Sequence, residues 1–415
     1  MVSLRDKAKG VLFLAAVGFV LWYAALRLTG YNSIFTHPAE DQYTLQAEAW
    51  LHGRLDLIEA SKNLEIATFE GKSYNSFPPT PALIELVEVL IWGHETPIPF
   101  MLFLSGLLAA STSFLMISKG FASWWAPAWI ALTLIFSGNA LYPMAQGGVW
   151  YQAQIYGATF LLLGLYLVYA NATPRWGLAF SCLALAVGCR PFHLVYAPLF
   201  AYLAVTTSGR RPKEVVIAFL KWGGPVLLVI FWHNFARFHH PFEFGHKYLP
   251  LMQSQKSLFG LGFFFRNLWL VFLSLPEMDL SYPTIVKFHP MGNAFWINNA
   301  LVALALAGLG WMRGRLLQIF VLTTCLVWLP LLLHQSNGWV QFGYRYIIDL
   351  FPLVVAMIAM QPKTRELKAR WIVLVFFISA PINLFGTYWV QRVISREEIL
   401  QSYEDLFCTN CIKFD

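Results

Sequence analysis

Two adjacent carboxylic acids, Glu40 and Asp41, follow the first long apolar stretch of the sequence by about ten residues. The chain is still close to the membrane surface at that distance, and a carboxyl group that loses contact with water there becomes easier to protonate. Such a group can act as a general base and remove the proton of an attacking hydroxyl. The residues alone do not decide which acid is the base. The alternative is that both acids are solvated surface groups.

Cationic residues near the ends of other apolar stretches provide the complementary charge. Arg237 and Arg345 each lie in a turn rich in glycine, asparagine and aromatic residues. A guanidinium group can hold two phosphate oxygens at once, so we expect both arginines to bind a phosphate at the depth of the lipid headgroups. Arg190, between two short apolar runs, and Lys72, before a Pro-Pro turn, are further candidates. The alternative for each is that the side chain only extends to the membrane interface.

A protein-bound metal is not predicted, although a divalent metal requirement stays possible. The histidines show no HExxH spacing, and the adjacent His239 and His240 cannot easily share a face, so we expect hydrogen-bonded interfacial histidines. Cys408 and Cys411 form half of a zinc site at most, and an oxidised pair is the better expectation outside the cytoplasm. The histidines in question are His233, His239, His240, His246, His289 and His334.

The elements that must position these groups are transmembrane helices. Of the 415 residues, 58% are hydrophobic and only 12% are charged, whereas soluble domains carry about 25% charged residues. Many apolar stretches approach the ~20 residues that a helix needs to cross a bilayer. The sequence therefore predicts an all-α, polytopic transmembrane bundle of eleven spans. They are 11–30, 97–117, 124–142, 153–170, 176–189, 191–206, 215–235, 294–311, 316–333, 346–360 and 371–388.

The charged residues are distributed unequally between the two sides of the membrane. If the N-terminus is cytoplasmic, the cytoplasmic loops carry 15 basic and three acidic residues, and the outer side carries 14 basic and 19 acidic residues. The positive-inside rule predicts this orientation. The net charge of +7 then reflects membrane topology, and no nucleic acid partner is expected.

The chain is predicted to contain a transmembrane domain, 1–388, and a short extracytoplasmic tail, 389–415. Two long segments of the domain, 31–96 and 236–293, should lie outside, and the first holds ten of the 22 acids. Within the second, the apolar run 258–275 is too short and interrupted for a secure span and predicts an interfacial helix.

Five motifs rich in charged, aromatic, glycine and proline residues fall on the predicted outer side. They are Glu40-Asp41-Gln42-Tyr43, Gly71-Lys72-Ser73-Tyr74 with Phe77-Pro78-Pro79, Gly148-Val149-Trp150-Tyr151 with Gln154, His233-Asn234 to Glu243-Phe244-Gly245-His246, and Gly338-Trp339 to Gln341-Phe342-Gly343-Tyr344-Arg345. Their order resembles the GT-C superfamily of membrane glycosyltransferases, of the protein O-mannosyltransferase and lipid A aminoarabinose transferase type. The resemblance covers most of the chain. The acid order here is Glu-Asp where Asp-Glu is commoner, which leaves the identity of the base open.

The resemblance implies an inverting glycosyltransferase that moves a sugar from a polyprenyl phosphate to a hydroxyl of a lipid, glycan or protein. Asp41 would be the general base, with Glu40 as the alternate. The donor phosphate would be bound by Arg345, Arg237, Arg190 and Lys72. The remaining substrate contacts would come from Tyr43, Tyr74, Trp150, Gln154, Glu243, His246, Gln341 and Tyr344.

Two other functions use the same residues differently. A transporter or flippase of a lipid-linked or anionic solute would place ionisable groups near the middle of the membrane, but most spans here are uncharged at their centres. A non-catalytic subunit of a glycan assembly complex would keep the fold without the chemistry. The charge pattern favours chemistry at the outer surface, and we expect an integral protein of a bacterial inner or plasma membrane with an extracytoplasmic active site.

Overall fold

The computed structural model describes residues 2–38, 41–58, 65–170, 174–249, 259–336, 338, 340–361 and 369–407. Helices dominate this part of the chain. The α-helices are α1 (Leu4–Leu28), α2 (Gln42–Leu51), α3 (Thr80–Trp92), α4 (Ile98–Ser118), α5 (Trp125–Phe136), α6 (Leu141–Gln146), α7 (Val149–Leu165), α8 (Trp176–Cys189), α9 (Ala197–Ser208), α10 (Pro212–Trp222), α11 (Gly224–Phe238), α12 (Phe264–Phe272), α13 (Phe295–Asn298), α14 (Ala300–Ala307), α15 (Gly314–Leu333), α16 (Phe351–Met360), α17 (Ala369–Arg392) and α18 (Arg396–Phe407). The strands are β1 (Ile66–Phe69), β2 (Lys72–Asn75), β3 (Glu277–Met278), β4 (Val286–Lys287), β5 (Met291–Asn293) and β6 (Gln341–Gly343).

Five of the described helices are long and apolar enough to cross a membrane. They are α1, α4, α15, α17 and α7 with its continuation to Tyr169, and α10 with α11 makes a sixth candidate that is bent by 49°. Each of the eleven predicted spans overlaps helical residues. The polytopic helical class is therefore confirmed, whereas the count of eleven remains a prediction.

Several predicted spans are interrupted near their ends. The span 124–142 becomes α5 and α6, and the span 346–360 opens with a 3₁₀ turn, Arg345–Leu350, before α16 begins. Pro191 likewise starts a 3₁₀ turn directly after α8. Proline is tolerated in the first turn of a helix but not in its interior. These interruptions place Arg190 just before one 3₁₀ turn and Arg345 at the start of another, outside the regular α-helices.

Close packing of α1 against its neighbours depends on two glycines. A Cβ atom at Gly10 would lie 2.3 Å from the ring of Phe114 in α4, and one at Gly18 would lie 2.9 Å from the ring of Phe136 in α5. The two glycines are eight residues apart and share a helix face. Small residues of this kind let membrane helices approach closely.

The first long loop is folded and carries α2, a hairpin and α3. Strands β1 and β2 pair antiparallel around a tight turn at Glu70 and Gly71, which both have positive φ angles, of 50° and 74°. The side-chain amide of Asn75 then donates to the carbonyl of Gln42 at 3.3 Å, which ties the hairpin to the start of α2. The loop therefore forms a defined wall beside α7 and α8.

Helix α3 has an apolar face that the protein leaves uncovered. Leu83, Val87 and Ile91 recur every four residues and are 42%, 59% and 65% exposed, whereas Glu85 and Glu88 are buried. A helix in water would show the opposite arrangement. The exposed face matches a helix that lies in the membrane interface.

The second long loop reaches the turn before α16 through a parallel strand pair. β5 pairs with β6, and the Gln341 side-chain amide donates to the carbonyl of Met291 at 2.8 Å. Helix α12 falls within the run 258–275, so the expected helix is present, whereas its interfacial position remains a prediction. Phe265, Trp269 and Leu273 form one exposed apolar face on and just after it. The predicted outer segments thus meet around one end of α7.

Candidate active site

Asp41 is a buried acceptor at the start of α2. It is the N-cap residue, and its Oδ1 accepts from the backbone N–H groups of Tyr43 and Thr44, each at 3.2 Å. The Gln152 side-chain amide donates to the same oxygen at 3.0 Å, and the Thr44 hydroxyl donates to Oδ2. The carboxylate side chain has 0% exposure. Asp41 is therefore fixed in one orientation by donors from two elements.

The first turn of α7 connects Asp41 with an arginine. Gln152 bonds to Asp41, and the ring of the preceding residue, Tyr151, lies 5.2 Å from the guanidinium carbon of Arg345. Consecutive residues of one helix thus contact the candidate base and a candidate phosphate ligand. Glu40, the alternate base, lies outside the described residues.

Arg190 and Arg345 lie against the same aromatic ring. The guanidinium carbons of Arg190 and Arg345 are 5.1 and 5.2 Å from the centroid of the Tyr346 ring. Arg190 Nη2 also forms an ion pair with Asp349 Oδ2 at 3.3 Å, and Asp349 Oδ1 contacts His193 Nε2 at 3.0 Å. Both Arg190 Nε and Arg345 Nε lack a hydrogen-bond partner within the described part of the chain. Two cations, each with an Nε–H group that has no partner in the described chain, therefore lie against the Tyr346 ring.

Arg237 has a different environment. Its side chain is almost completely buried, with 1% exposure. Nη1 donates to the carbonyl of Asn75 at 2.7 Å, and Nη2 donates to Asn234 Oδ1 at 3.2 Å. These bonds hold the end of the hairpin against α11. The prediction that Arg237 binds a phosphate remains untested.

The other residues predicted from the first loop have three different environments. Tyr43 is fully buried, its hydroxyl has no partner among the described residues, and Asp41, Arg190 and Arg237 all act on it electrostatically. Tyr74 is buried against the ring of Phe238. Lys72 is exposed at the hairpin turn, and the structure gives it no contact with Asp41.

The residues predicted from α7 differ in their contacts. Trp150 Nε1 donates to Glu65 Oε1 at 2.8 Å and links α7 to the hairpin. Gln154 is fully buried, and neither atom of its amide has a partner in the described chain. Gln152, two residues earlier, is the glutamine that bonds to Asp41.

The remaining predicted contacts are divided between two turns. Glu243 accepts from the backbone of Gly245 at 2.8 Å and pairs with Lys247 at 3.0 Å, and His246 contacts the carbonyl of Ser76 at 3.4 Å. Gln341 lies in β6, and the ring of Tyr344 stacks on Trp328. The Glu243 turn is therefore beside the hairpin, and the Tyr344 turn is beside Arg345.

Sequence reasoning missed five residues of this region: Gln152, Asp349, His193, Glu85 and Glu88. A signal existed for the two glutamates, because acids three residues apart in an otherwise apolar helix are unusual. His193 and Asp349 lie 156 residues apart in the chain, and no local pattern connects them.

Metal ligands and thiols give no additional site in the described ranges. No group of three or more His, Cys, Asp or Glu is arranged there to hold a metal ion. The expectation of hydrogen-bonded histidines is wrong for His233, whose buried ring has no hydrogen-bond partner in the described chain and packs edge-on against Trp50. Apolar packing replaces the expected bond. Cys408 and Cys411 lie outside the described residues.

The fold is similar to that of solved membrane transferases of the GT-C superfamily. The chain is similar to ArnT from Cupriavidus metallidurans bound to undecaprenyl phosphate, at 13% identity and a TM-score of 0.50, over 92% of this chain and 75% of ArnT. It is also similar to the oligosaccharyltransferase of Archaeoglobus fulgidus tethered to an acceptor peptide, at 14% identity and a TM-score of 0.53, over 93% of this chain and 56% of that enzyme. No protein-family model and no curated protein sequence matches the chain. The resemblance seen in the sequence is thus confirmed for the fold, and the chain is an integral membrane protein.

Proposed function

We propose that this protein is a glycosyltransferase that moves a sugar from a polyprenyl phosphate to a hydroxyl group on the extracytoplasmic side of the membrane, with inversion at the anomeric carbon. The observation that carries the proposal is the first turn of α7. There, Gln152 contacts Asp41 and Tyr151 contacts Arg345, so a base and a phosphate ligand are held by adjacent residues. The GT-C fold and the undecaprenyl phosphate in the ArnT structure support it.

In this mechanism Asp41 takes the proton of the acceptor hydroxyl. The acceptor reaches Oδ1 by replacing the amide N–H of Gln152, because the backbone donors at that oxygen are fixed by the α2 cap. The acceptor oxygen then attacks the anomeric carbon as its bond to the phosphate breaks from the opposite face. A single displacement of this kind inverts the configuration.

The leaving phosphate needs cations and no proton donor. Arg190 and Arg345 flank Tyr346 and have free Nε donors, so they are the proposed main ligands. Fixed cations near the breaking bond stabilise the charge that develops there. Arg237 and Lys72 complete the proposed set, and Tyr43, with its unpartnered hydroxyl, is suited to hold the sugar.

The proposed orientation has a cytoplasmic N-terminus, eleven spans and an outer active site in a bacterial inner or plasma membrane. The asymmetry of 15 basic and three acidic residues on one side supports it. In a cysteine-free background, an impermeant thiol reagent should label a cysteine placed at Lys72 from outside intact cells and should not label one at Arg211. Labelling at Arg211 would contradict the orientation.

The enzymatic proposal is tested with purified protein in lipid nanodiscs and a panel of radiolabelled polyprenyl phosphate sugars. Asp41→Asn should reduce transfer by about 10²- to 10⁴-fold, because an amide cannot take the proton. Asp56→Asn is the matched control, since Asp56 pairs with Arg54 on the same loop. Undecaprenyl phosphate binding by a wild-type protein that transfers no sugar would instead favour a transporter or a non-catalytic subunit.

A further inference from the structure

Helix α3 carries two carboxyl groups that are buried next to Asp41. Glu85 is 0% exposed and Glu88 is 3% exposed, and their positions three residues apart put them on one helix face. The charge of Glu88 acts on Glu85, so the two carboxyl groups interact. Two interacting carboxyl groups that are both buried cannot easily be ionised together, so one of the two carries a proton. Glu85 Oε1 and Glu88 Oε2 have no hydrogen-bond partner within the described residues.

Thr44 connects this pair with Asp41. Its hydroxyl oxygen is hydrogen-bonded to Asp41 Oδ2 and lies 3.4 Å from Glu85 Oε2. A hydroxyl group has one hydrogen and two acceptor lone pairs, so it can receive a proton from one neighbour while giving its own to another. Thr44 therefore bridges two carboxyl groups that do not touch.

The other groups hydrogen-bonded to Asp41 cannot serve this purpose, and His37 Nδ1 lies 4.0 Å from Oδ2, beyond hydrogen-bond distance. Oδ1 is bonded to two backbone N–H groups and to the amide of Gln152, which donate hydrogen bonds and do not take up protons. The Asp41 side chain has 0% exposure, so it has no direct contact with water. Of the groups hydrogen-bonded to Asp41, the Thr44 hydroxyl is the one that can carry a proton away.

We propose that Thr44 and the Glu85–Glu88 pair form a proton relay for Asp41, an inference that rests on the proposed transferase function. The O–H bond of the acceptor breaks and its proton binds to Asp41. The protonated carboxyl group of Asp41 turns its O–H toward Thr44 and passes the proton to the Thr44 oxygen, while Thr44 gives its own hydrogen to Glu85 and Glu85 gives its proton to the ionised Glu88. Asp41 is then a carboxylate again and the pair is neutral, and Glu88, the less buried of the two at 3% exposure, releases one proton to water before the next turnover. Thr44, Glu85 and Glu88 are thus positioning residues that act through Asp41.

The electrostatic surroundings agree with a shared proton. Burial, with the charges of Asp41 and Glu88, raises the pKa of Glu85 well above its usual range. Burial raises the pKa of Glu88 to about 7. The titratable and charged groups that surround the pair and its link to Asp41 are His37 before α2, Asp41 and Tyr43 at the start of α2, Tyr156 from α7, and Cys189 and Arg190 at the end of α8.

The shared proton can be tested without any activity measurement, by thermal unfolding in nanodiscs at a series of pH values. Acids with a raised folded-state pKa stabilise the fold fully below their unfolded pKa, near 4.5, and this stabilisation is lost as the pH rises through about 7. The unfolding temperature of the wild type should therefore fall between about pH 4.5 and 7. The Glu85→Gln/Glu88→Gln double variant should lose most of this slope, and Glu70→Gln, which alters an exposed acid, should keep it. An unchanged slope in the double variant would overturn the shared proton.

The relay itself is tested by transfer kinetics of Thr44 and Glu85 variants. Thr44→Val keeps the shape and removes the hydroxyl, so kcat should fall about 10- to 100-fold with little change in KM, whereas Thr44→Ser should stay within about three-fold of the wild type. Glu85→Gln should behave like Thr44→Val. A wild-type rate in Thr44→Val would overturn the relay and leave the transferase intact. A wild type that transfers no sugar but shows the pH-dependent unfolding would overturn the transferase and the relay, and would leave only the shared proton.

Discussion

Two arginine pockets on the same side of the molecule use the same side chain in different ways. In the first pocket, formed by Arg237, Asn234, Asn75 and Phe238, both terminal nitrogens of the guanidinium group are bonded within the protein. In the second, formed by Arg190, Arg345, Tyr346 and Asp349, the arginines lie against aromatic rings. Arg237 also stacks, at 4.7 Å from the Phe238 ring, and its Nε has no partner in the described chain. The pockets differ in the terminal nitrogens: those of Arg237 are both hydrogen-bonded, at 2.7 and 3.2 Å, whereas Arg345 Nη2 makes one long bond of 3.5 Å to the Tyr346 hydroxyl. From this difference we propose that Arg237 mainly stabilises the fold and that Arg345 mainly binds the donor.

Arg190 forms an ion pair with Asp349 and also has an Nε–H group without a partner in the described chain. Its replacement should have the largest effect on stability. Arg190→Met leaves the buried Asp349 without its cation, and removing one partner of a buried ion pair costs about 3 kcal/mol. Chemical unfolding in mild detergent should reveal the loss. The Arg190→Met/Asp349→Asn double variant should recover part of it, and a double variant as unstable as the single one would show that the ion pair is not the cause.

Arg237→Lys should mainly reduce stability. Lysine keeps the charge but cannot reach both the Asn75 carbonyl and Asn234, so we expect a loss of about 1.5 to 3 kcal/mol. The same unfolding assay measures it. Donor titration of the folded variant separates the two functions. Weaker donor binding at unchanged stability would show that Arg237 binds the donor.

Arg345→Lys should show the reverse pattern. Its folded state should be nearly as stable as the wild type, and its affinity for undecaprenyl phosphate should fall by about 10-fold, since lysine retains the charge but loses the planar fork. Tryptophan fluorescence or native mass spectrometry can follow the titration. Full affinity in this variant would reassign Arg345 to anchoring at the membrane interface.

Lys72→Ala should have the smallest effect. The lysine is exposed at the hairpin turn, and exposed charges contribute about 0.2 to 1 kcal/mol, or less than about five-fold in affinity. The titration used for Arg345→Lys measures this change. A ten-fold loss would mean that the hairpin turn moves toward the donor when it binds.

The glutamines of α7 show which part of the candidate site could be predicted from the sequence and which part could not. The sequence drew attention to this turn, because its motif stands at the start of an apolar stretch, and it proposed Gln154 as a substrate contact, which remains a prediction, but it did not indicate that Gln152 bonds to Asp41. Two residues correspond to about 200° around a helix. The face that a buried helix turns toward a partner depends on packing with distant elements, and α7 is buried on nearly all sides.

The arginines show the same limit. Hydropathy placed Arg237 and Arg345 correctly at the ends of apolar segments, because span boundaries are a local property of the sequence. The carbonyl that occupies Arg237 belongs to Asn75, 162 residues earlier. The free or occupied state of a donor is therefore a tertiary property, and no reading of residue types could have separated the two pockets.

The exposed apolar face of α3 has a consequence for how the protein is handled. Leu83, Val87 and Ile91 project away from the protein while Glu85 and Glu88 point inward. In the proposed orientation the outer leaflet would cover the back of the helix that holds the carboxyl pair, and its acyl chains would keep water away from the acids. A short-chain detergent that covers this face less completely would let water reach Glu85 and Glu88 from that side. The detergent or lipid therefore changes the hydration of the two acids, and we expect their protonation to differ between bilayers and micelles.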